Sequence, residues 1–334
     1  MVYKKHLESS GRHIRFIRYI MPIVNKSLLE FHPTTVEDVR REYNLDKPGM
    51  MDQSIDILHE WIQKQKHFVK KDFSREYLER VIISTKGSVE RAKLRVDRIC
   101  TLRTTVPELF TKVNVKLELP DISINVYLPE LTEDHYRIYV IQIKNDITTS
   151  LILNASKFYR NLRVYFQLAE YLKRNDYVNG IIMVVDVRDC NIMDLVTQMN
   201  FVDLHKIVTI YMEGFGFRIK NVFIISESKA IHLFSSLLKR VFSAKIGERI
   251  AVLKSAEALQ DNLPKQLLPK DFGGQQKTLK ELYDEWTEEL SSENHVAYVK
   301  EMKQACTEES LRLSDQVNDD YLGMPGSFKI LSVD

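Results

Sequence analysis

The first patterned stretch of the chain, residues 35–111, has apolar positions that recur every three or four residues. Asp52 and Ser88 each stand before such a repeat, and both residue types favour the N-cap of a helix. The two repeats are Ile55, Leu58 and Ile62, and Val89, Ala92, Val96 and Ile99. Apolar residues at this spacing form one buried face of a helix. Because short loops join the segments, the pattern predicts a compact antiparallel helical bundle.

From about residue 115 the pattern indicates strands that alternate with helices. Residues 180–186 form a continuous run rich in β-branched side chains, which is typical of a strand buried on both faces. The predicted strands are residues 122–127, 137–143, 180–186, 222–225 and 249–253. The predicted helices are residues 154–174, 191–198, 201–212, 228–242 and 255–260. This alternation predicts an α/β domain.

Composition indicates a globular protein. The chain has 334 residues, of which 44% are hydrophobic and 28% charged, and this length suits one large domain or two smaller ones. No apolar run reaches the roughly 18 residues that a membrane-spanning helix needs. The three cysteines, Cys100, Cys190 and Cys306, show neither disulfide nor metal spacing. We therefore expect a cytoplasmic protein without a transmembrane segment.

Charge is distributed unevenly, although the net charge is only +2. Residues 216–250 contain seven Lys or Arg and two Glu, whereas residues 271–334 contain six Lys or Arg and fourteen Asp or Glu. Nucleic-acid binding needs a basic stripe with stacking aromatic residues or a known module, and the sequence shows neither. The basic segment is therefore interpreted as a surface for an anionic membrane.

Enzymatic and metal chemistry find little support in the sequence. Gly214-Phe215-Gly216 lacks the third glycine of a dinucleotide site, and there is no nucleophile elbow, P-loop or HExxH motif. Asp186 ends a predicted buried strand, as catalytic acids sometimes do, but a structural carboxylate that caps nearby amides is an equal alternative. We expect no catalytic residue, no metal ion and no cofactor.

The segment Leu268–Gly274, with the sequence LPKDFGG, predicts a sharp turn, because proline and glycine interrupt regular structure. Together with four earlier elements, this segment resembles the CRAL-TRIO family of lipid carriers. The four elements are residues 61–67 (WIQKQKH), 90–93 (ERAK), 102–103 (LR) and 107–110 (PELF). The resemblance covers about residues 35–292. It implies an α/β CRAL-TRIO lipid-binding domain with a small mixed β-sheet flanked by helices, after an N-terminal helical bundle.

The expected organisation has four parts. They are a basic leader (residues 1–30), the N-terminal helical domain (31–111), the CRAL-TRIO lipid-binding domain (112–276) and an acidic C-terminal helix and tail (277–334).

The resemblance also implies three groups of site residues. The expected gate over a lipid cavity is Ile231, Phe234, Leu237, Leu238 and Val241, although periodicity alone favours an ordinary surface helix. The expected phosphoinositide-binding residues are Arg218, Lys220, Lys245 and Arg249, which match four basic positions of the family's tocopherol carrier. The expected cavity residues are Arg163, Gln167, Ile181, Val185, Ile207, Ile210, Tyr211, Phe215 and Val222. Because Arg163 and Gln167 replace two serines of that carrier, we expect a different polar end on the ligand.

The implied function is transfer of a hydrophobic small molecule (a lipid, tocol, retinoid or carotenoid) between membranes. The protein would dock reversibly on a phosphoinositide-containing membrane surface, open the gate and exchange its ligand. One alternative is a phosphoinositide-sensing membrane adaptor whose vestigial cavity is filled by residues such as Arg163, Gln167 and Tyr211. Another is a hydrolase or isomerase that acts on a bound lipid.

Overall fold

A five-stranded mixed sheet lies at the centre of the described fold. The structure, a computed structural model, describes residues 28–111, 116, 123–144 and 155–312, with residues 155–161 and 198 described as backbone alone. The strands are β1 Ser123–Leu131, β2 Tyr136–Ile143, β3 Gly180–Asp186, β4 Ile219–Ile225 and β5 Ile250–Leu253. They are ordered β1-β2-β3-β4-β5, with β1 and β2 antiparallel and the other pairs parallel. The predicted α/β class with a small mixed sheet is confirmed.

The helices of the described residues form three groups along the chain. The N-terminal group is α1 Thr35–Glu42, α2 Met50–Lys64, α3 Arg75–Ser84 and α4 Val89–Thr105. The group that crosses between strands is α5 Ala155–Asn175, α6 Ile192–Gln198, α7 Phe201–Thr209, α8 Ile231–Val241 and α9 Ala244–Gly247. The C-terminal group is α10 Leu279–Leu290 and α11 Glu293–Met302. Since α2, α3 and α4 pack against one another, the predicted N-terminal helical bundle is also confirmed.

Two predicted helix starts have different outcomes. Ser88 caps α4, because its Oγ accepts a hydrogen bond of 3.3 Å from the Arg91 N–H. Asp52 does not cap α2: the prediction was wrong, because the Pro48-Gly49 turn starts the helix three residues earlier. Gly49 has a φ of 77°, which glycine adopts at little cost. Asp52 instead pairs with Arg75 at 2.9 Å.

The strand register assigns side chains to two faces of the sheet, because directly paired residues share a face. One face, called the α8 face, runs across all five strands. It carries Ser123, Asn125, Tyr127, Tyr139, Ile141, Ile143, Met183, Val185, Val222, Ile224, Ile250 and Val252. Side chains of the opposite face, such as Val126, Val140, Val184 and Phe223, belong to the main hydrophobic core. The sheet is therefore covered on both sides, as its apolar strands require.

The LPKDFGG segment makes the sharp turn that its composition predicts. Leu268 and Phe272 are completely buried, and Gly273 has a φ of 70°. A Cβ at Gly274 would lie 1.9 Å from the Leu268 carbonyl oxygen. Since that separation is far shorter than a van der Waals contact, the turn requires glycine at this position.

The C-terminal residues return to both earlier parts of the chain. The Trp286 indole of α10 donates to the Tyr127 carbonyl at 2.9 Å. The Thr307 N–H donates to Thr104 Oγ1 at 2.8 Å, and Arg312 pairs with Asp97 of α4 at 2.8 Å. Residues 1–27 of the predicted leader and residues 313–334 of the predicted acidic tail lie outside the described residues.

Candidate functional site

Helix α8 covers one side of the sheet with an apolar stripe. Ile231, Phe234, Leu238 and Val241 are buried, as their spacing predicts. Leu237 is half-buried. The outward surface carries exposed Lys239 and Arg240, together with Leu233, whose exposure is 46%. A closed gate and an ordinary surface helix would both pack in this way, so the gate assignment stays a prediction.

The residues beneath α8 form a hydrophobic cluster separate from the main core. Its twelve buried members are all Ile, Val, Leu or Phe: Ile143, Val187, Ile192, Leu195, Ile219, Val222, Ile224, Ile231, Phe234, Leu238, Ile246 and Ile250. None of these residues belongs to the main core, which unites the N-terminal helices, α5 and the C-terminal helices. The half-buried Ile141 and Met183 touch both clusters. This cluster is called the α8 layer below.

The β1 end of the α8 face is polar. The hydrogen-bonded pairs there are Ser123 Oγ with Tyr165 OH (2.7 Å), Asn125 Nδ2 with Ser123 Oγ (2.8 Å), Tyr139 OH with Asn125 Oδ1 (3.2 Å) and Tyr127 OH with Tyr211 OH (2.6 Å). Burial raises the pKa of Tyr127 and Tyr139 well above the usual value, so both phenols remain neutral donors. The α8 face thus joins a polar end to an apolar end.

Most of this polar end was missed by the sequence analysis. Its signal is the alternation of Ser123, Asn125 and Tyr127 along one strand, since every second strand residue shares a face. The polar partners on other elements, such as Tyr165, come together only through the tertiary fold.

The apolar cavity residues that were predicted fall in two places. Val222 belongs to the α8 layer, and Val185 packs against it. Three others, Ile181, Ile210 and Phe215, are buried in the main core. Ile207 is half-buried against the main core, as is Tyr211, which reaches the polar end. The structure therefore brings part of the predicted set to the α8 face.

The two polar cavity residues that were predicted lie on α5. Gln167 is buried, with its Oε1 3.2 Å from Nε2 of His295 on α11. The Arg163 Nε is buried and meets no hydrogen-bond acceptor among the described residues. Gln167 is thus already engaged by the C-terminal helices.

Two small cavities lie between the described residues. One of about 30 Å³ lies between α3, α5 and the start of β4. Another of about 10 Å³ lies between α5, α11 and Phe110. Pockets for drug-sized ligands usually measure about 300–1,000 Å³. Neither cavity has room for a whole lipid.

Three of the four predicted phosphoinositide-binding residues lie where strands β4 and β5 begin. This region is called the basic edge. Lys220, at the start of β4, is exposed, with its Nζ 5.1 Å from the Tyr136 ring centre. Arg249 precedes β5 and donates from Nη1 to the Ile219 carbonyl at 2.6 Å. Lys245 is exposed on α9, which packs against α8. The basic edge therefore adjoins the predicted gate.

Arg218 has a different position. Its guanidinium stacks over the Tyr43 ring at 4.8 Å, and both terminal nitrogens are buried without an acceptor in hydrogen-bond geometry. The side chain therefore points toward the N-terminal helices, away from solvent.

Asp186 fits the structural alternative. Its carboxylate accepts hydrogen bonds from the Arg188 N–H at 3.2 Å and from Gln142 Nε2 at 3.1 Å, and it pairs with the Arg188 guanidinium at 2.9 Å. Among the described residues, no three His, Cys, Asp or Glu side chains are placed to hold a metal ion. In the same part of the chain, no helix is both long and apolar enough to cross a bilayer.

Comparison with known proteins agrees with this architecture. The family model for a Pinta-like UBA domain matches residues 47–119, and the CRAL/TRIO domain model matches residues 123–274. Alpha-tocopherol transfer protein-like proteins of Mus musculus and Homo sapiens are 25% and 24% identical over 238 residues, which cover 70% of this chain and 68% of each relative. The crystal structure of Sfh5 has a TM-score of 0.50 at 10% identity, covering 82% of this chain and 99% of that chain.

The Sfh5 likeness supports the fold, and the domain match with the curated relatives supports the family. Residues 123–274 of this chain therefore form a CRAL/TRIO domain.

Proposed function

We propose that this protein carries a hydrophobic small molecule between membranes, with α8 as the gate of its binding site. The observation that carries the proposal is the separation of the α8 layer from the main core. Movement of α8 would uncover an apolar floor while the main core stays packed. The volume for a ligand would come from this movement, since the two cavities described above are too small for one.

The α8 face favours a ligand with one polar end and a long apolar part. Apolar carbons would lie on the α8 layer, where burial contributes about 0.8 kcal/mol per CH₂. A hydroxyl or carbonyl group would exchange hydrogen bonds with the tyrosines at the β1 end. Without a carrier, such a molecule leaves a bilayer slowly. A carrier would therefore speed its movement between membranes. A tocol has this shape, and the relatives' name includes tocopherol transfer.

The basic edge would dock the protein on anionic lipid headgroups. Lys220 and Lys245 are exposed and have no ion pair with the described residues. Each Lys or Arg near an anionic membrane contributes about 1 kcal/mol. Because α9 adjoins α8, docking would place the gate at the membrane surface. The protein would then associate with membranes peripherally and reversibly, and the cycle needs no covalent step.

A vesicle assay tests both parts of this proposal. The full chain would move a fluorescent α-tocopherol analogue from donor vesicles to acceptor vesicles containing phosphatidylinositol 4,5-bisphosphate. Replacing Lys220 and Lys245 by Ala should weaken vesicle binding about 30-fold, since two cations contribute about 2 kcal/mol, and should slow transfer. The control replaces exposed Lys47 and Lys265, which removes the same charge elsewhere. Equal slowing by both double variants would contradict docking through the basic edge.

The small cavities favour a second candidate, a membrane adaptor with a filled interior. Tyr211 stacks on Tyr139 with ring centres 6.2 Å apart, and Gln167 contacts His295, so both occupy space inside the fold. An adaptor would bind the same vesicles without transferring the analogue or a fluorescent phosphatidylcholine. Transfer of either probe that depends on Lys220 and Lys245 would favour the carrier.

A further inference from the structure

Four positively charged side chains surround the cavity of about 30 Å³ between the N-terminal helices and the lipid-binding domain. Arg80 comes from α3, Lys173 from α5 and Arg218 from the residue before β4, and all three line the cavity with Ser84. Arg95 of α4 is adjacent, since its side chain would lie 3.3 Å from a Cβ at Gly216 in the cavity wall. This space is called the cationic cavity below.

Lys173 is buried there without a carboxylate partner. Its exposure is 6%, and its Nζ donates to Ser84 Oγ at 3.3 Å and to the Arg80 carbonyl at 3.4 Å. Within the described part of the chain, no acidic oxygen lies within 4 Å of this Nζ. Burial and the guanidinium groups of Arg95 and Arg80 lower the pKa of Lys173 well below its usual value. A buried cation without a counter-charge is unfavourable for the fold.

Arg218 also contributes buried donors without an acceptor. Both of its terminal nitrogens are buried and meet no acceptor in hydrogen-bond geometry. Arginine presents paired N–H groups that suit phosphate and carboxylate oxygens. Buried donors without partners are rare in native proteins, so these nitrogens point to an absent acceptor.

Nearby acids are already neutralised by other cations. Asp176 lines the cavity, but Arg137 pairs with both of its oxygens at 2.8 and 2.9 Å. Glu79 pairs with Arg40 at 2.6 Å, and Glu170, one turn before Lys173 on α5, pairs with Arg103. The cationic cavity therefore has a local excess of positive charge.

We propose that the cationic cavity binds a phosphate group, held by Lys173 and Arg218 at the boundary between α3 and α5. A volume of about 30 Å³ has room for two or three waters, which is close to the size of one phosphate. The group belongs either to a free phosphate anion or to the headgroup of a phosphorylated lipid. This site does not rest on the carrier function, and it lies inward of the basic edge.

Calorimetric titration and thermal unfolding of the full chain test this proposal, with inorganic phosphate and inositol 1,4,5-trisphosphate as probes in chloride buffer of matched ionic strength. Saturating probe should raise Tm on the order of 3 °C, because a ligand of the folded state stabilises it. Lys173→Met and Arg218→Gln should each weaken binding at least tenfold. Lys47→Met, at an exposed site, should bind like the wild type. Binding of inorganic phosphate identifies a free-anion site, and binding of the trisphosphate alone identifies a headgroup site.

Three outcomes would overturn the proposal. The first is no binding of either probe, and the second is unchanged affinity in both Lys173→Met and Arg218→Gln. The third is loss of binding in the Lys220 and Lys245 double variant alone, which would assign the anion to the basic edge. Lys173→Met without probe should melt no lower than the wild type, because it removes an unpaired buried charge. A lower Tm with an unchanged probe response would show that Lys173 is only a structural donor.

Discussion

Single buried charges connect distant parts of this fold. Arg137 of β2 and Asp176 after α5 form an ion pair in which both side chains are almost completely buried. The Arg137 side chain also donates to the Glu30 and Leu128 carbonyls at 3.3 Å. Removal of one partner from such a pair leaves a buried charge without compensation, which is far costlier than the loss of an exposed pair.

Asp176→Asn should therefore lower the free energy of unfolding by about 3–5 kcal/mol. The control is Asp52→Asn, which removes an exposed partner of Arg75. This variant should change the free energy of unfolding by less than about 1 kcal/mol. Urea denaturation measures both. Similar losses in the two variants would contradict a stabilising role for the buried pair.

His295 should make stability depend on pH. Burial, followed by the positive charge of Arg174, lowers its pKa to about 4 from 6.5. The unfolded chain binds this proton first as pH falls, so the contribution is present above pH 6.5 and is lost toward pH 4. This residue should lower the free energy of unfolding by about 2 kcal/mol between pH 7 and pH 5. In His295→Gln, the loss of unfolding free energy between pH 7 and pH 5 should be smaller by about 2 kcal/mol. Equal losses in the wild type and this variant would contradict the role of His295.

Sequence patterns predicted few of these residue-scale pairings. Ser88 as a cap depends on neighbours along the chain, so it was predictable. Lys173 follows Phe166 and Glu170 by seven and three residues, which places it on the buried face of α5, and this spacing was a usable signal. Its lack of a counter-charge depends on α3 and β4, which are distant in sequence.

At the scale of elements, hydrophobic periodicity was a reliable guide. The strand predicted at residues 180–186 has the same bounds in the structure. This agreement is expected, because a run of β-branched residues between polar segments strongly favours a strand. The helix predicted at residues 201–212 ends as an α-helix at Thr209 and continues as a π turn through Gly214. The spacing of apolar residues did not indicate this change, because it does not distinguish a final α-helical turn from a π-helical one.

Helix α8 should meet the membrane with its exposed leucine. Leu233→Trp provides a fluorescent probe on α8, and Leu94→Trp provides a control at an exposed site on α4. Vesicles with phosphatidylinositol 4,5-bisphosphate should shift the emission of the α8 probe to shorter wavelength, because the indole enters an apolar environment. The α4 probe should not respond, and replacing Lys220 and Lys245 should abolish the shift. Equal responses from both probes would contradict a specific role for α8.

At the scale of the whole molecule, the last described residues pack against the N-terminal helices. Residues 303–312 return to the N-terminal helices through Thr307 and Arg312, whose partners are Thr104 and Asp97. These contacts span more than 200 residues of sequence, which is why no local pattern predicted them. Although this region is acidic, it contains the nearly buried side chain of Arg312.

A chain that ends after residue 302 should lose these contacts, leaving Asp97 without Arg312. We expect its free energy of unfolding to fall by about 3 kcal/mol or more, because a buried carboxylate loses its charge partner. A chain that ends after residue 312 keeps the contacts and is the matched control. Urea denaturation compares the two, and equal stability would contradict the role of residues 303–312.

The central claim is that this CRAL-TRIO protein carries a hydrophobic molecule, and its cargo can be identified directly. The protein would be purified from its native source under mild conditions and extracted with organic solvent, and the extract would be analysed by mass spectrometry beside a known carrier. We predict one enriched molecule at near-stoichiometric amount, with a long apolar part and one hydrogen-bonding end. An extract without any enriched apolar molecule, when the known carrier yields its own, would contradict the carrier function and favour the membrane adaptor.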